Sequence, residues 1–199
     1  MTFQWHWIAY ALALIAPFLM QVIRCMLYAS KHGQDPVAVW NFIHGNVLLR
    51  VVPSLPARIF NSLLGQVNPF SRSISMRITS ISRQESDAVG RQGVCRATMW
   101  DRPSSRNPFR SIHAAALILF GETVCGVAVL SSLKRGERAI VKRLSGQYHK
   151  KSRGTLTAEC TFTRPTTSGE IESIAILRDS SMDVVAEVTA VWAIDVEKE

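Results

Sequence analysis

Between Ile112 and Leu133 the chain carries one charged residue, Glu122. A carboxylate inside an uncharged run is costly unless it is solvated, paired or used. The run is long enough for either a membrane span or a buried helix, and its flanks decide between them. On the N-terminal side, Ile74, Met76 and Ile78 alternate with Ser75, Arg77 and Thr79, which predicts a half-buried strand over 73–81. Val94–Trp100 reads as a second strand, and the polar SRQESDAVGRQG between the two reads as a turn region. After the run come strands over Ala139–Tyr148, Thr155–Thr163, Ile171–Leu177 and Val184–Ile194. Thr155–Thr163 alternates most cleanly, with Leu156, Ala158, Cys160 and Phe162 on one face. A membrane span at 112–133 would put the two strand groups on opposite sides of a bilayer, each with an apolar face exposed. One antiparallel sheet wrapped around a single central helix buries every apolar face. The expected class is α+β, with the two-span membrane protein as the competing arrangement.

The remaining 70-odd residues differ in character. Residues 1–84 hold seven Lys or Arg and a single acid, Asp35, whereas the rest of the chain is near balance, so the net charge of +8 belongs to the N-terminal part. Trp5–Ile23 is apolar and long enough to span a hydrocarbon core, with Trp5, Trp7 and Tyr10 at one end and Arg24, Lys31 and His32 after the other. These features predict a transmembrane anchor over 1–27, single-pass, with the rest of the chain cytosolic; the sequence leaves open which membrane holds it, a mitochondrial one included. A docked apolar helix is the alternative. Residues 28–66 read as a helical linker that either lies on the membrane surface or caps the following domain, with one helix over Asp35–Val52 and a short one near Arg58–Gly65. The spacing of Cys25, Cys95, Cys125 and Cys160 suggests neither a metal site nor a disulfide framework. Cys25 is a candidate for palmitoylation and the other three read as small core residues. Zinc-finger spacing and a basic-aromatic array are missing, which argues against nucleic acid as a partner.

Three polar positions then carry a resemblance. Asn107 precedes the central run, His113-Ala114-Ala115 opens it six residues later, and Glu122 follows nine residues after His113. With the strand order and the segment YHKKSRGTLTAEC over Tyr148–Cys160, this resembles the hot-dog fold acyl-CoA thioesterases of the phenylacetate-pathway (PaaI-like) type, in which an Asn, a His-Gly-Gly and an Asp or Glu stand at these spacings. The resemblance covers about residues 65–194 and implies a hot-dog domain over 67–195. The two glycines are alanines here, and the acid is Glu rather than the commoner Asp.

Nine residues along a helix turn through about 900° and rise about 13.5 Å. His113 and Glu122 therefore point to opposite sides of the helix, and two chains related by a two-fold axis are needed to bring them together. The resemblance implies the same arrangement, a homodimer or homotetramer with sites at the subunit interface. Thioester hydrolysis then assigns roles: Glu122 as general base or nucleophile, Asn107 to orient the water or carbonyl, His113 to bond the thioester or hold the loop, and the backbone N–H near Ala114 as oxyanion donor. Lys150, Lys151 and Arg153, with Lys142 and Arg143 nearby, are candidates for the phosphates of coenzyme A. The acyl chain is expected beside Leu117, Phe120 and Val124. The expected partners are an acyl-CoA or acyl-carrier thioester and a membrane, with no cofactor and no metal. The alternative is a catalytically silent hot-dog protein that binds acyl groups or scaffolds a membrane-bound complex.

Overall fold

The computed structural model describes residues 3–88 and 90–196, with side chains from residue 15 onward. Five helices come first: α1 (Phe3–His32), α2 (Pro36–His44), α3 (Val47–Arg50), α4 (Leu55–Val67) and α5 (Pro69–Arg72). Two strands follow, β1 (Met76–Ser86) and β2 (Gly90–Met99), then the long helix α6 (Ala114–Ser132). The chain ends with β3 (Arg138–Tyr148), β4 (Leu156–Thr163), β5 (Gly169–Arg178) and β6 (Val184–Asp195).

The six strands form one antiparallel sheet in the order β1-β2-β4-β5-β6-β3. β2 and β4 lie on either side of α6 in the sequence, yet they pair from Gln92↔Thr163 to Met99↔Leu156. That pairing rules out the two-span arrangement. α6 is the one helix among the described residues apolar and long enough to cross a membrane, and it serves as the core of the domain. β4 alternates buried and exposed along its whole length, as its sequence predicts. Cys95, Cys125 and Cys160 are buried core residues, also as expected. Two glycines let α6 sit deep in the sheet. A Cβ on Gly93 of β2 would lie 2.8 Å from Ser131 Cβ and closer still to Ala128 O, and a Cβ on Gly121 would lie 2.5 Å from Val188 Cγ2 of β6.

The differences from the sequence reading are local. The stretch 82–93 is strand over most of its length, with Ser82↔Val94 through Ser86↔Gly90 paired. Its polar composition reflects an exposed hairpin end rather than a break in pairing. The single helix expected over 35–52 is split: α2 stops at Gly45, and the Asn46 side chain accepts the N–H groups of Leu48 and Leu49 to start α3. The short helix expected near Arg58 starts earlier, at Leu55, with Pro56 in its first turn, where the missing N–H is harmless.

The N-terminal helices pack on the domain rather than trailing from it. Val37, Val39, Trp40, Ile43, Leu49 and Phe60 share one core with the strands and α6. Two polar contacts fix them. Asn61 of α4 donates from Nδ2 to Ile78 O (2.9 Å) and accepts from Ile78 N–H (2.7 Å), so its amide occupies part of the free edge of β1. Arg83 of β1 makes a two-pronged pair with Asp35, the N-cap of α2 (2.7 and 3.2 Å), and donates from Nε to Ser131 O near the end of α6 (2.6 Å). Burial opposes ionisation of Asp35, but the hydrogen bonds from Arg83 and Ala38 N–H outweigh it and hold its pKa below the ordinary value. α1 is tied on through Tyr28, stacked on Phe42 at 4.0 Å, and through Cys25, which is fully buried and so out of reach of a modifying enzyme in this fold. The opposite face of α1 exposes Ile15, Leu19, Met20, Ile23 and Leu27. The side chains of Trp5, Trp7 and Tyr10, expected at one end of the anchor, lie outside the described residues.

Candidate functional site

The polar end of α6 is a built loop. Asn107 Oδ1 accepts from Phe109 N–H (3.0 Å), Ser111 N–H (3.2 Å) and Ser111 Oγ (3.1 Å), and Asn107 O accepts from Arg110 N–H (3.0 Å). These bonds hold Arg110 in the left-handed region at φ +56°, a conformation that is unfavourable for a non-glycine residue. Asn107 is thus first an organiser of its loop, and its Nδ2 makes no hydrogen bond among the described residues. His113 is the N-cap of α6. Its Nδ1 accepts from Ala115 N–H (3.1 Å), which leaves the proton on Nε2, and its carbonyl accepts from Ala116 and Leu117 N–H. Among the described residues nothing accepts the N–H of Ala114, which is exposed at the positive end of the helix dipole.

The basic loop after β3 packs against this end within the same chain. Ile112 N–H donates to Ser152 O (2.9 Å), and Arg153 Nε donates to Arg110 O (3.3 Å). The three cations do not stand alike. Lys150 Nζ lies 2.6 Å from Asp179 and 2.7 Å from Asp183, whose hydrogen bonds raise its pKa, so its charge is already matched. Lys151 and Arg153 are exposed beside the helix start. Lys142 and Arg143 lie out on β3, with Arg143 3.7 Å from Glu172. One residue here escaped the sequence reading: Tyr148 donates its hydroxyl to Ala114 O (3.4 Å) and so lies at the mouth of the helix. It opens the YHKKSRGTLTAEC segment, but the segment by itself assigns it no role.

Glu122 stands apart from these groups. It is half-buried on the wall of an apolar cavity of about 460 Å³, and no other residue lining that cavity ionises. Burial raises its pKa above the ordinary 4.5, with a weak opposing bond from Thr123 Oγ1 at 3.4 Å. Along α6 the cavity is lined by Glu122, Thr123, Gly126, Val127 and Leu130; its roof is α4 and the ends of α1 and α2. Neither Asn107 nor His113 lines it. The structure therefore brings Asn107, His113, Ala114 N–H, Lys151 and Arg153 together at the end of α6, and keeps Glu122 separate in the same chain, as the helical spacing requires. The expected acyl path is corrected. Leu117, Phe120 and Val124 are at most 3% exposed and pack in the sheet core, leaving no channel along them. The open side is the Glu122–Gly126–Leu130 stripe. Among the described residues there is no group of three His, Cys, Asp or Glu placed to hold a metal ion.

Solved structures of similar fold include a Pseudomonas aeruginosa protein of unknown function, also called a probable thioesterase (20% identity, TM-score 0.57, covering 68% of this chain and 92% of that one). A thioesterase from Haemophilus influenzae matches at 15% identity and TM-score 0.54, covering 67% and 88% of the two chains. A thioesterase family protein from Silicibacter pomeroyi matches at 12% identity and TM-score 0.56, covering 67% and 94%. At these identities the likeness establishes the fold. No curated protein is significantly similar in sequence. A family described as a domain of unknown function, DUF4442, matches residues 56–194, which begin inside α4 and run through β6. The match covers more than half of the chain, and with the sheet wrapped around α6 it places the protein: it belongs to the DUF4442 family and carries a hot-dog fold.

Proposed function

We propose that this protein hydrolyses an acyl thioester, acyl-CoA or acyl-carrier bound, at a site completed by two copies of the chain. The observation that carries the reading is Glu122: a carboxyl with a raised pKa, facing an apolar cavity on the helix whose open end presents Ala114 N–H. In the reaction, Glu122 of one copy takes a proton from water as the water oxygen attacks the thioester carbonyl. The oxyanion that forms is met by Ala114 N–H of the other copy, reinforced by the helix dipole. The C–S bond then breaks and the thiolate leaves with the proton held by Glu122. A covalent route, with Glu122 as nucleophile, uses the same groups. His113 Nε2–H and Asn107 Nδ2 are the donors that orient the thioester, and Lys151 and Arg153 meet the phosphates of the carrier.

Two features support the dimer. β3 is a sheet edge, and it exposes Ile140, Val141 and Leu144. Pairing that edge with a second copy would cover them and complete its hydrogen bonds. The exposed apolar face of α1 supports a membrane anchor, with the domain on the cytosolic side.

One observation favours the silent alternative. Asn107 Oδ1 is fully occupied by its own loop, and Lys150 by two carboxylates, so two expected substrate contacts are already satisfied. Turnover of a panel of acyl-CoAs by the full chain decides between the readings, with Glu122→Gln as the control. Release of free thiol by the wild type and its loss in the variant support hydrolysis; no turnover of any chain length rejects it.

A further inference from the structure

We infer that the N-terminal helices are part of the substrate site: the cavity between α4, the ends of α1 and α2, and the Glu122 stripe of α6 holds the acyl group, and α4 limits its length. The inference builds on the thioesterase reading and names the pocket that reading lacks.

Three observations lead to it. First, the helices are fixed to the domain by specific contacts, the paired Asn61–Ile78 amide and the Arg83–Asp35–Ser131 O cluster, so the cavity wall is a defined surface. Second, α4 turns Phe60, Leu63, Leu64 and Val67 toward the cavity, at the i, i+3, i+4, i+7 spacing of one helix face. Third, the volume of about 460 Å³ lies within the range of small-molecule sites.

The chemistry of the walls selects the occupant. A phosphate or carboxylate would meet Glu122 and no cation, so an anion is disfavoured. An uncharged alkyl or acyl chain meets the complementary surface. Glu122 marks one end of the cavity along α6 and Leu130 the other, a separation of eight residues or about 12 Å of helix rise. The carbonyl end of a chain lying in this space comes beside the carboxyl, and its tail reaches toward Leu130 and α4.

The width is set by an absent side chain. A Cβ at Gly126 would come 3.3 Å from Trp192 Cη2, inside the cavity. Trp192 is itself held by its indole N–H donating to the buried Ser173 Oγ at 2.8 Å, so the ring is anchored. A leucine at 126 therefore fills the space between α6 and α4.

The test uses an uncharged primary alcohol with a diazirine near its tail, photolysed with the full chain, and adducts are mapped by mass spectrometry. The expected adducts lie on α4 and on α6 between Thr123 and Leu130. Uncharged alcohols of rising length should compete about fourfold better per added methylene until the cavity is full. Gly126→Leu should cut labelling at least tenfold, and Leu64→Trp, which fills the cavity from the α4 side, provides the same test should the first variant lose its fold by thermal unfolding. Adducts outside the residues that line the cavity, or unchanged labelling in a folded filling variant, overturn the inference. Hydrolysis measured in parallel separates the two ideas. Labelling that responds to the variants without any acyl-CoA turnover keeps the pocket and rejects the thioesterase. Turnover whose chain-length preference ignores both variants keeps the enzyme and rejects the pocket.

Discussion

Gly121→Ala tests how tightly α6 is held, and so how firmly the neighbouring Glu122 is placed. On helix propensity alone the change is favourable by about 1 kcal/mol. The packing opposes it. The new methyl would lie 2.5 Å from Val188 Cγ2 and 2.8 Å from Cγ1, where carbon atoms normally approach to about 3.5–4.0 Å. The nearest atom is Val188 Cβ, which no change of rotamer can move. Helix and strand must part by roughly 1 Å. A retreat of α6 also disturbs its seat on Gly93, where there is equally little room. Overpacking of this kind costs about 1–3 kcal/mol, occasionally more, and a clash with a fixed Cβ belongs at the upper end. The net expectation is destabilisation by about 2 kcal/mol, or a Tm lower by about 4–8 °C for a chain of this size. The assay is thermal unfolding of the full chain by circular dichroism. Gly126→Ala is the internal control, because it lies on the same helix with the same propensity gain, and its Cβ meets only the edge of Trp192 at 3.3 Å. It should lose clearly less stability than Gly121→Ala. A Gly121→Ala protein as stable as wild type, or more so, would refute the reasoning.

Two further predictions follow from the site and the edge contacts. Burial raises the pKa of Glu122, so its contribution to stability is complete below the ordinary value of 4.5 and is lost as pH rises through the folded-state pKa. Glu122→Gln should therefore melt higher than wild type at neutral pH, with the gap closing toward about pH 4, while hydrolysis falls to background; a gap that widens on acidification would contradict the assigned burial. Asn61→Ala removes both bonds to Ile78 and should lower stability by about 1–3 kcal/mol, with faster amide exchange at Ile78 and along α4; unchanged exchange there would show that the side chain does not hold the helix.

Much of the domain is legible in the chain because its faces are periodic. Thr155–Thr163 names its own buried face, and the uncharged run names α6 once the flanking strands require one sheet. The position of the cavity is not legible, for a physical reason. α6 is apolar on every side, so its sequence does not say which stripe meets the sheet and which meets the N-terminal helices. Leu117, Phe120 and Val124 look no different in type from Val127 and Leu130. The division of the 35–52 helix was readable, since Gly45-Asn46 is a stop followed by a cap. The Arg83–Asp35 pair was not: it joins residues 48 apart, although the isolation of Asp35 among seven basic residues was a hint that it has a set partner. At the site, the spacing puts Asn107 and His113 at the polar end of the helix and Glu122 along it. The occupancy of Asn107 Oδ1 and Lys150 depends on loops whose partners no spacing reveals.

The Asn61 amide has a consequence for assembly. A six-stranded open sheet has two edges, and a sheet with two free edges can add copies without limit, growing as a ribbon. Here the β1 edge is occupied at Ile78 by a side chain from α4, whereas the β3 edge exposes Ile140, Val141 and Leu144. A particle that is sticky on one side only can join once with its like, and the union leaves nothing to extend. For the proposed dimer, this one asparagine would act as a stop on the β1 side, and Asn61→Ala should be watched for fibres as well as for a lower melting temperature.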